Sequence, residues 1–172
     1  MGKGQIKHKE TIFKGKLLHL NKLEVLNNGL VSHYECIDHP GAVVVLPVFG
    51  DGSIMFVQQY RPAIDGLSIE LPAGLKEEGE DILKTAKREL WEETGYKAEK
   101  LKLINSFYTS PGYSNERIEL VEATCLERKR EDCEEGISIS IMGEEEVKTW
   151  LDKDIIFDGK TLLSLYYYFL HK

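Results

Sequence analysis

The stretch from Gly74 to Tyr96, GLKEEGEDILKTAKRELWEETGY, constrains this chain more than any other. Read as a helix from about Glu80 to Thr94, it places Ile82, Leu83, Ala86 and Leu90 on one apolar stripe. Glu93 falls inside that stripe, Glu89 flanks it, and Glu92 lies further round. Glu89 and Glu93 form an i,i+4 pair and Glu89 and Glu92 an i,i+3 pair, so the three carboxylates can converge. Like charges crowded beside a core destabilise a fold unless something positive sits among them. A hard divalent cation answers that need, since carboxylate oxygens are its preferred ligands.

Composition narrows the function classes. With 172 residues the chain can build one domain with a real core and a small appendage. A net charge of −7 and the lack of a basic stripe argue against nucleic-acid binding. No apolar run has the length of a membrane span, and the N-terminal MGKGQIKHKE has no apolar signal core. Three cysteines, Cys36, Cys125 and Cys133, show no paired spacing and read as reduced thiols of a cytoplasmic protein. Cys36 and Cys125 are expected to be small buried strand residues.

Along the chain, residues 10–38 alternate loosely around Asn27-Asn28-Gly29, a good hairpin turn, and predict strands near 11–18, 20–26 and 31–37. After the break at His39-Pro40-Gly41, strands are expected over 42–49, 54–60, 69–71, 101–108, 118–125 and 137–142. Helices are expected over 144–151 and 160–171, and residues 127–136 read as an acidic loop. Strands and helices intersperse without regular βαβ alternation, which favours an α/β sandwich with a mixed sheet over a doubly wound fold.

The opening stretch fits Gly-x5-Glu-x7-Arg-Glu-U-x-Glu-Glu-x-Gly-U, with U aliphatic, at Gly74, Glu80, Arg88, Glu89, Glu92, Glu93 and Gly95. Tyr96 replaces the last aliphatic residue. This resembles the Nudix hydrolases, which cleave nucleoside diphosphates linked to another moiety. HPGAVVVLPV, QQYRP, ELPAG and TSPGYSNE, with Pro111 sixteen residues after Gly95, resemble the ADP-ribose pyrophosphatase and nucleoside diphosphate sugar hydrolase branch. The resemblance implies a Nudix-type α/β/α sandwich over residues 40–172. It also implies a small N-terminal antiparallel sheet over 1–39 that serves homodimerisation.

The resemblance further implies site roles. Metals, Mg2+ or alternatively Mn2+, fall to Glu89, Glu92, Glu93 and the backbone carbonyl of Ala73. Glu80 supports them, and Arg88 holds the glutamates by ion pairs. A general base is expected from the acidic loop, at Glu135 or Glu134, with Glu131 a weaker candidate. Arg61 either meets a phosphate or the terminal ribose, or makes a surface salt bridge. Glu70 either bonds a ribose or adenine edge or simply begins the ELPAG turn. The loop around Pro111 borders the sugar pocket. Relatives often carry an arginine a few residues before His-Pro; here the segment reads Ser32-His33-Tyr34-Glu35-Cys36, and Tyr34 either stacks on a base or packs on its own sheet. Trp91 either covers a subunit contact or packs partly exposed.

The resulting expectation is metal-dependent hydrolysis of a nucleoside diphosphate sugar, foremost ADP-ribose to AMP and ribose 5-phosphate. The alternatives are another nucleotide sugar of the GDP-mannose or UDP-glucose type, or a Nudix module that binds without cleaving.

Overall fold

A computed structural model describes residues 4–172. They form two compact units, one of residues up to Gly41 with Phe107–Arg117, the other of Ala42–Ser106 with Ile118–Lys172. Each is taken in turn.

The first unit holds an antiparallel sheet in the order β1 (Gln5–Lys14), β2 (His19–Asn27), β3 (Leu30–Asp38). The turn between β2 and β3 is Asn28-Gly29, both at positive φ, as a tight hairpin requires. β1 starts six residues earlier than the alternation predicts. Every one of its residues is exposed, and its register slips twice against β2, so no burial period marks its extent. Phe107–Arg117 closes on β3: the Ile37 N–H donates to the Tyr113 carbonyl at 2.7 Å, and the Asn115 N–H to the Ile37 carbonyl at 3.2 Å.

The second unit is built on a mixed four-stranded sheet, ordered β7 (Ala73–Leu75), β4 (Ala42–Pro47), β9 (Arg117–Arg128), β8 (Tyr96–Tyr108). β4 runs parallel to β9 and antiparallel to β7. A second sheet follows the order β10 (Ser138–Met142), β5 (Ile54–Arg61), β6 (Gly66–Glu70). Helices α1 (Ile82–Thr94), α2 (Glu144–Asp152) and α3 (Gly159–His171) complete it. Alternation along β4 turns Val43 and Val45 toward Ala86 and Leu90 of α1, with Val121 and Ala123 of β9 closing the cluster. Burying Leu90 completely is worth about 2 kcal/mol.

Several expected boundaries move. β8 starts at Tyr96, directly after the helix, where Tyr96 and Ala98 alternate with exposed Lys97 and Glu99 before the pattern slips at Lys100-Leu101. β9 continues to Arg128, into the span expected as loop. Cys125 is exposed at φ 55°, a local irregularity in β9 rather than a core position, and Cys36 is half-buried. All three cysteines are free.

Candidate active site

The site is organised by α1 and the strand before it. Asp81 caps the helix, its carboxylate accepting from the N–H groups of Leu83 (3.0 Å) and Lys84 (3.3 Å), and Gly95 ends it at φ 71°. Because the glutamates sit at the core-facing edge of this helix, Glu89 and Glu93 are buried. The Ala73 N–H donates to Glu93 Oε2 at 3.1 Å. Gly74 lies so near Glu89 that a Cβ there would stand 2.0 Å from its carboxylate, so the glycine makes room for that group.

Arg88 ties the remaining acids together. It donates to Glu89 Oε1 (2.6 Å), Glu92 Oε2 (3.1 Å), both oxygens of Glu80 (3.0 and 3.2 Å) and the Leu75 carbonyl (3.0 Å). The glutamates therefore meet through a guanidinium rather than directly. Among the described residues no three acidic, His or Cys side chains already close on one point as a metal cage.

The electrostatics divide the acids into two kinds. The Arg88 hydrogen bond holds Glu80 down to about 2. Burial pushes Glu93 up to about 8; the Ala73 N–H opposes this, and the charges of Glu89 and Glu134 reinforce it. Burial also raises Glu89, against the pull of Arg88. Two buried carboxylates thus lack full compensation, and the ligand atoms they themselves offer are hard oxygens. Together with the room left by Gly74, that donor set fits a hard divalent cation.

A second cluster surrounds Glu70, only 2% exposed. Arg61 donates to both its oxygens, at 2.7 and 2.6 Å, and Lys160 Nζ to one at 2.5 Å; Lys160 also reaches Asp158 at 2.8 Å. Burial would raise the Glu70 carboxyl, but Arg61 and Lys160 outweigh it and bring it to about 2. Arg61 also acts electrostatically on Glu93. Nothing in the sequence flags Lys160, which lies ninety residues from Glu70. Its only local cue is Asp158, two residues earlier, which caps α3.

Of the acidic-loop candidates, Glu134 is the one whose charge acts on both Glu89 and Glu93. Glu134, Glu135 and Glu131 are exposed. Tyr34 and Pro111 belong to the first unit. Tyr34, 49% exposed on β3, lines a pocket of about 420 Å³ with Lys22, His33, Glu35, Gly112 and Tyr113. The turn that begins Ser110-Pro111 closes on itself through bonds from the Tyr113 and Ser114 N–H groups to the Ser110 carbonyl, at 3.1 and 2.9 Å. Arg61, Glu70, Ala73 and all the candidate glutamates belong to the second unit. Trp91 is half-buried, with Lys97 and Arg130 over its ring at 4.6 and 4.9 Å from the centroid.

Comparison with known proteins bears on the family and the fold. Residues 38–162 match the NUDIX domain family. The chain is 41% identical over 164 residues to an ADP-ribose pyrophosphatase of Bacillus subtilis (strain 168), covering 92% of this chain and 89% of that one. It is 37% identical over 163 residues to the methanol dehydrogenase activator of Bacillus methanolicus, with 92% and 88% covered. The fold is shared with an ADP compounds hydrolase of known crystal structure, at a TM-score of 0.83 and 21% identity over 96% of this chain and 92% of that one. The matched span and the likeness along nearly the whole length place this chain in the Nudix hydrolase family, in the branch that contains the ADP-ribose pyrophosphatases.

Proposed function

We propose that this Nudix pyrophosphatase hydrolyses ADP-ribose to AMP and ribose 5-phosphate in a Mg2+-dependent reaction. The observation that carries the reading is the buried, under-compensated pair Glu89 and Glu93, with Gly74 leaving room beside it. The likeness to an ADP-ribose pyrophosphatase supports the choice of substrate. Glu89, Glu92, Glu93 and the Ala73 carbonyl would hold the metal, and Mn2+ would suit the same oxygen donors. When bound, the cation neutralises diphosphate oxygens and lowers the pKa of an attacking water.

The chain's own residues do the rest. Arg88 holds one oxygen of each of the Glu89 and Glu92 carboxylates and so restrains both on the helix face. Glu134 takes a proton from the water as it attacks phosphorus; Glu135 is the alternative base on the same loop. The P–O bond to the leaving phosphate breaks, and the products part as two phosphomonoesters. Arg61, already paired with Glu70, supplies positive charge near Glu93 for a phosphate oxygen. On the first unit, Tyr34 stands beside Gly112 and Tyr113 of the Pro111 loop and offers an aromatic face on which a base can stack.

The protein works as a homodimer through its N-terminal sheet. That sheet leaves Ile6, Ile12, Phe13, Leu30 and Val31 exposed, apolar side chains that a partner sheet would cover. No described helix is long and apolar enough to cross a membrane. Three free thiols suit a cytoplasmic protein.

A second reading follows from the likeness to the methanol dehydrogenase activator: nucleotide binding or hydrolysis here serves to activate a partner enzyme. The test of the first reading is a panel of ADP-ribose, GDP-mannose, UDP-glucose and nucleoside triphosphates with Mg2+, assayed for released phosphomonoester. ADP-ribose is expected to give the highest kcat/KM. A higher value for another nucleotide sugar would move the substrate, and no turnover of any diphosphate would reject hydrolysis.

A further inference from the structure

The acidic loop after β9 is tied down where it leaves the sheet. The Lys129 N–H donates to the Gly95 carbonyl at 3.1 Å. Arg130 Nη2 donates to the carbonyls of Trp91 (3.2 Å) and Glu92 (2.9 Å), and its Nε to the carbonyl of Asp132 (2.8 Å). Its guanidinium lies over the Trp91 ring, 4.9 Å from the centroid. Arg128 holds the same turn from the other side, donating to the carbonyls of Arg130 (3.2 Å) and Glu131 (3.0 Å). The loop backbone passes so close to the helix end that a Cβ on Gly95 would stand 2.6 Å from the Arg130 carbonyl oxygen.

This arrangement has a physical logic. The last carbonyls of a helix lack intrahelical partners and carry partial negative charge. Of the two carbonyls gripped, that of Trp91 also accepts the Gly95 N–H at 3.0 Å, and a planar guanidinium can reach both while stacking on a ring, which an ammonium cannot do. The carbonyls gripped are those of the turn that carries Glu92 and Glu93. The loop is therefore referenced to the same rigid piece as the candidate metal ligands. Beyond the grip, the Ile137 N–H donates to the Glu134 carbonyl at 3.1 Å, a turn that leads into β10 at Ser138.

We propose that Arg130, stacked on Trp91, is a positioning residue that latches the acidic loop to the last turn of α1 and so fixes the segment carrying Glu134 relative to the helix that carries Glu89 and Glu93. This rests on the hydrolase reading above. It also gives Trp91 and Gly95 a task that helix capping alone does not require.

The experiment uses the full chain as Arg130→Ala, Arg130→Lys, Glu134→Gln and the double variant Arg130→Ala/Glu134→Gln. It reads kcat and KM for ADP-ribose, the Mg2+ concentration for half-activation, thermal stability, and hydrogen exchange of residues 131–137. Arg130→Ala is expected to lower kcat about 30-fold, leaving KM and Mg2+ half-activation within about twofold. Exchange of the loop should quicken about tenfold while α1 stays protected. Arg130→Lys keeps a cation at the helix end, so it should recover stability but not kcat. In the Glu134→Gln background the loss from Arg130→Ala should shrink below about threefold. Wild-type kcat in Arg130→Ala, unchanged loop exchange, or losses that multiply in the double variant would each overturn the latch. If Arg130→Ala does not fold, Arg130→Lys carries the same kcat and exchange readings. If the wild type cleaves no nucleotide sugar, the hydrolase reading fails by itself, and the exchange measurement alone upholds or rejects the latch.

Discussion

Replacing Gly74 by alanine separates the site from the fold. The new Cβ would stand 2.0 Å from the Glu89 carboxylate, whereas carbon in ordinary contact needs about 3.5 Å. The carboxylate must therefore retreat by roughly 1.5 Å, and it can, being the end of a flexible side chain. Retreat breaks its 2.6 Å bond to Arg88, which costs about 1–2 kcal/mol once water replaces part of it. For a domain of this size that lowers Tm by about 2–8 °C. A displacement above 1 Å in a reacting constellation costs about 100-fold in rate. Gly74→Ala should thus stay folded, lose turnover about 100-fold and need more Mg2+ for half-activation. Gly79→Ala is the control: Gly79 has φ 75° and nothing near its Cβ, so the strain costs about 1–2 kcal/mol without touching Glu89. The assay is phosphomonoester release across a Mg2+ titration, beside thermal unfolding of both variants. Equal turnover in Gly74→Ala and wild type, or equal losses in the two glycine variants, would refute the reasoning.

Three other outcomes follow. Glu93→Gln should cut turnover at least about 100-fold while the protein remains folded, since the buried carboxylate loses charge but keeps its shape; a kinetic assay with a circular dichroism control checks it. The Glu70 carboxyl falls from 4.5 to about 2 on folding, so its contribution of about 3 kcal/mol is complete above pH 4.5 and is lost as pH drops toward 2. Glu70→Gln should therefore be less stable at pH 7 and show a flatter loss of stability between pH 4.5 and 2, measured by urea unfolding across pH. Phe13→Glu, on the exposed apolar face of β1, should turn a dimer into a monomer in sedimentation at micromolar concentration, and a wild-type monomer there would refute the dimer.

The helix was legible because two periods in it conflict. A 3.6-residue stripe running through Ile82, Ala86 and Leu90 that then admits Glu93 can only mean a buried acid, and Glu93 is 6% exposed. The end of the helix at Thr94 was legible, but not the reason no side chain fits at Gly95: the loop carbonyls of Arg130 and Asp132 pass over it. The extent of β1 was not legible, because a strand exposed on both faces leaves no alternation to read. Nor was the setting of Glu70. The sequence left it between substrate contact and turn former, whereas its carboxylate is taken up by Arg61 and by Lys160, which only folding brings near. Arg88 shows the same limit in milder form. Its pairing with the glutamates was implied by the family resemblance and, for Glu92, fits an i,i+4 spacing, while its bonds to Glu80 and the Leu75 carbonyl depend on the loop before the helix.

The central claim is that the carboxylates of α1 serve the cleavage of a diphosphate. The most direct measurement is a 31P NMR time course of the wild-type protein with ADP-ribose, before and after Mg2+ is added. The account predicts no change without the cation. With it, the diphosphate resonances should vanish as two phosphomonoester signals, AMP and ribose 5-phosphate, grow in equal amounts. Diphosphate resonances that persist in the presence of Mg2+ and of Mn2+ would contradict it.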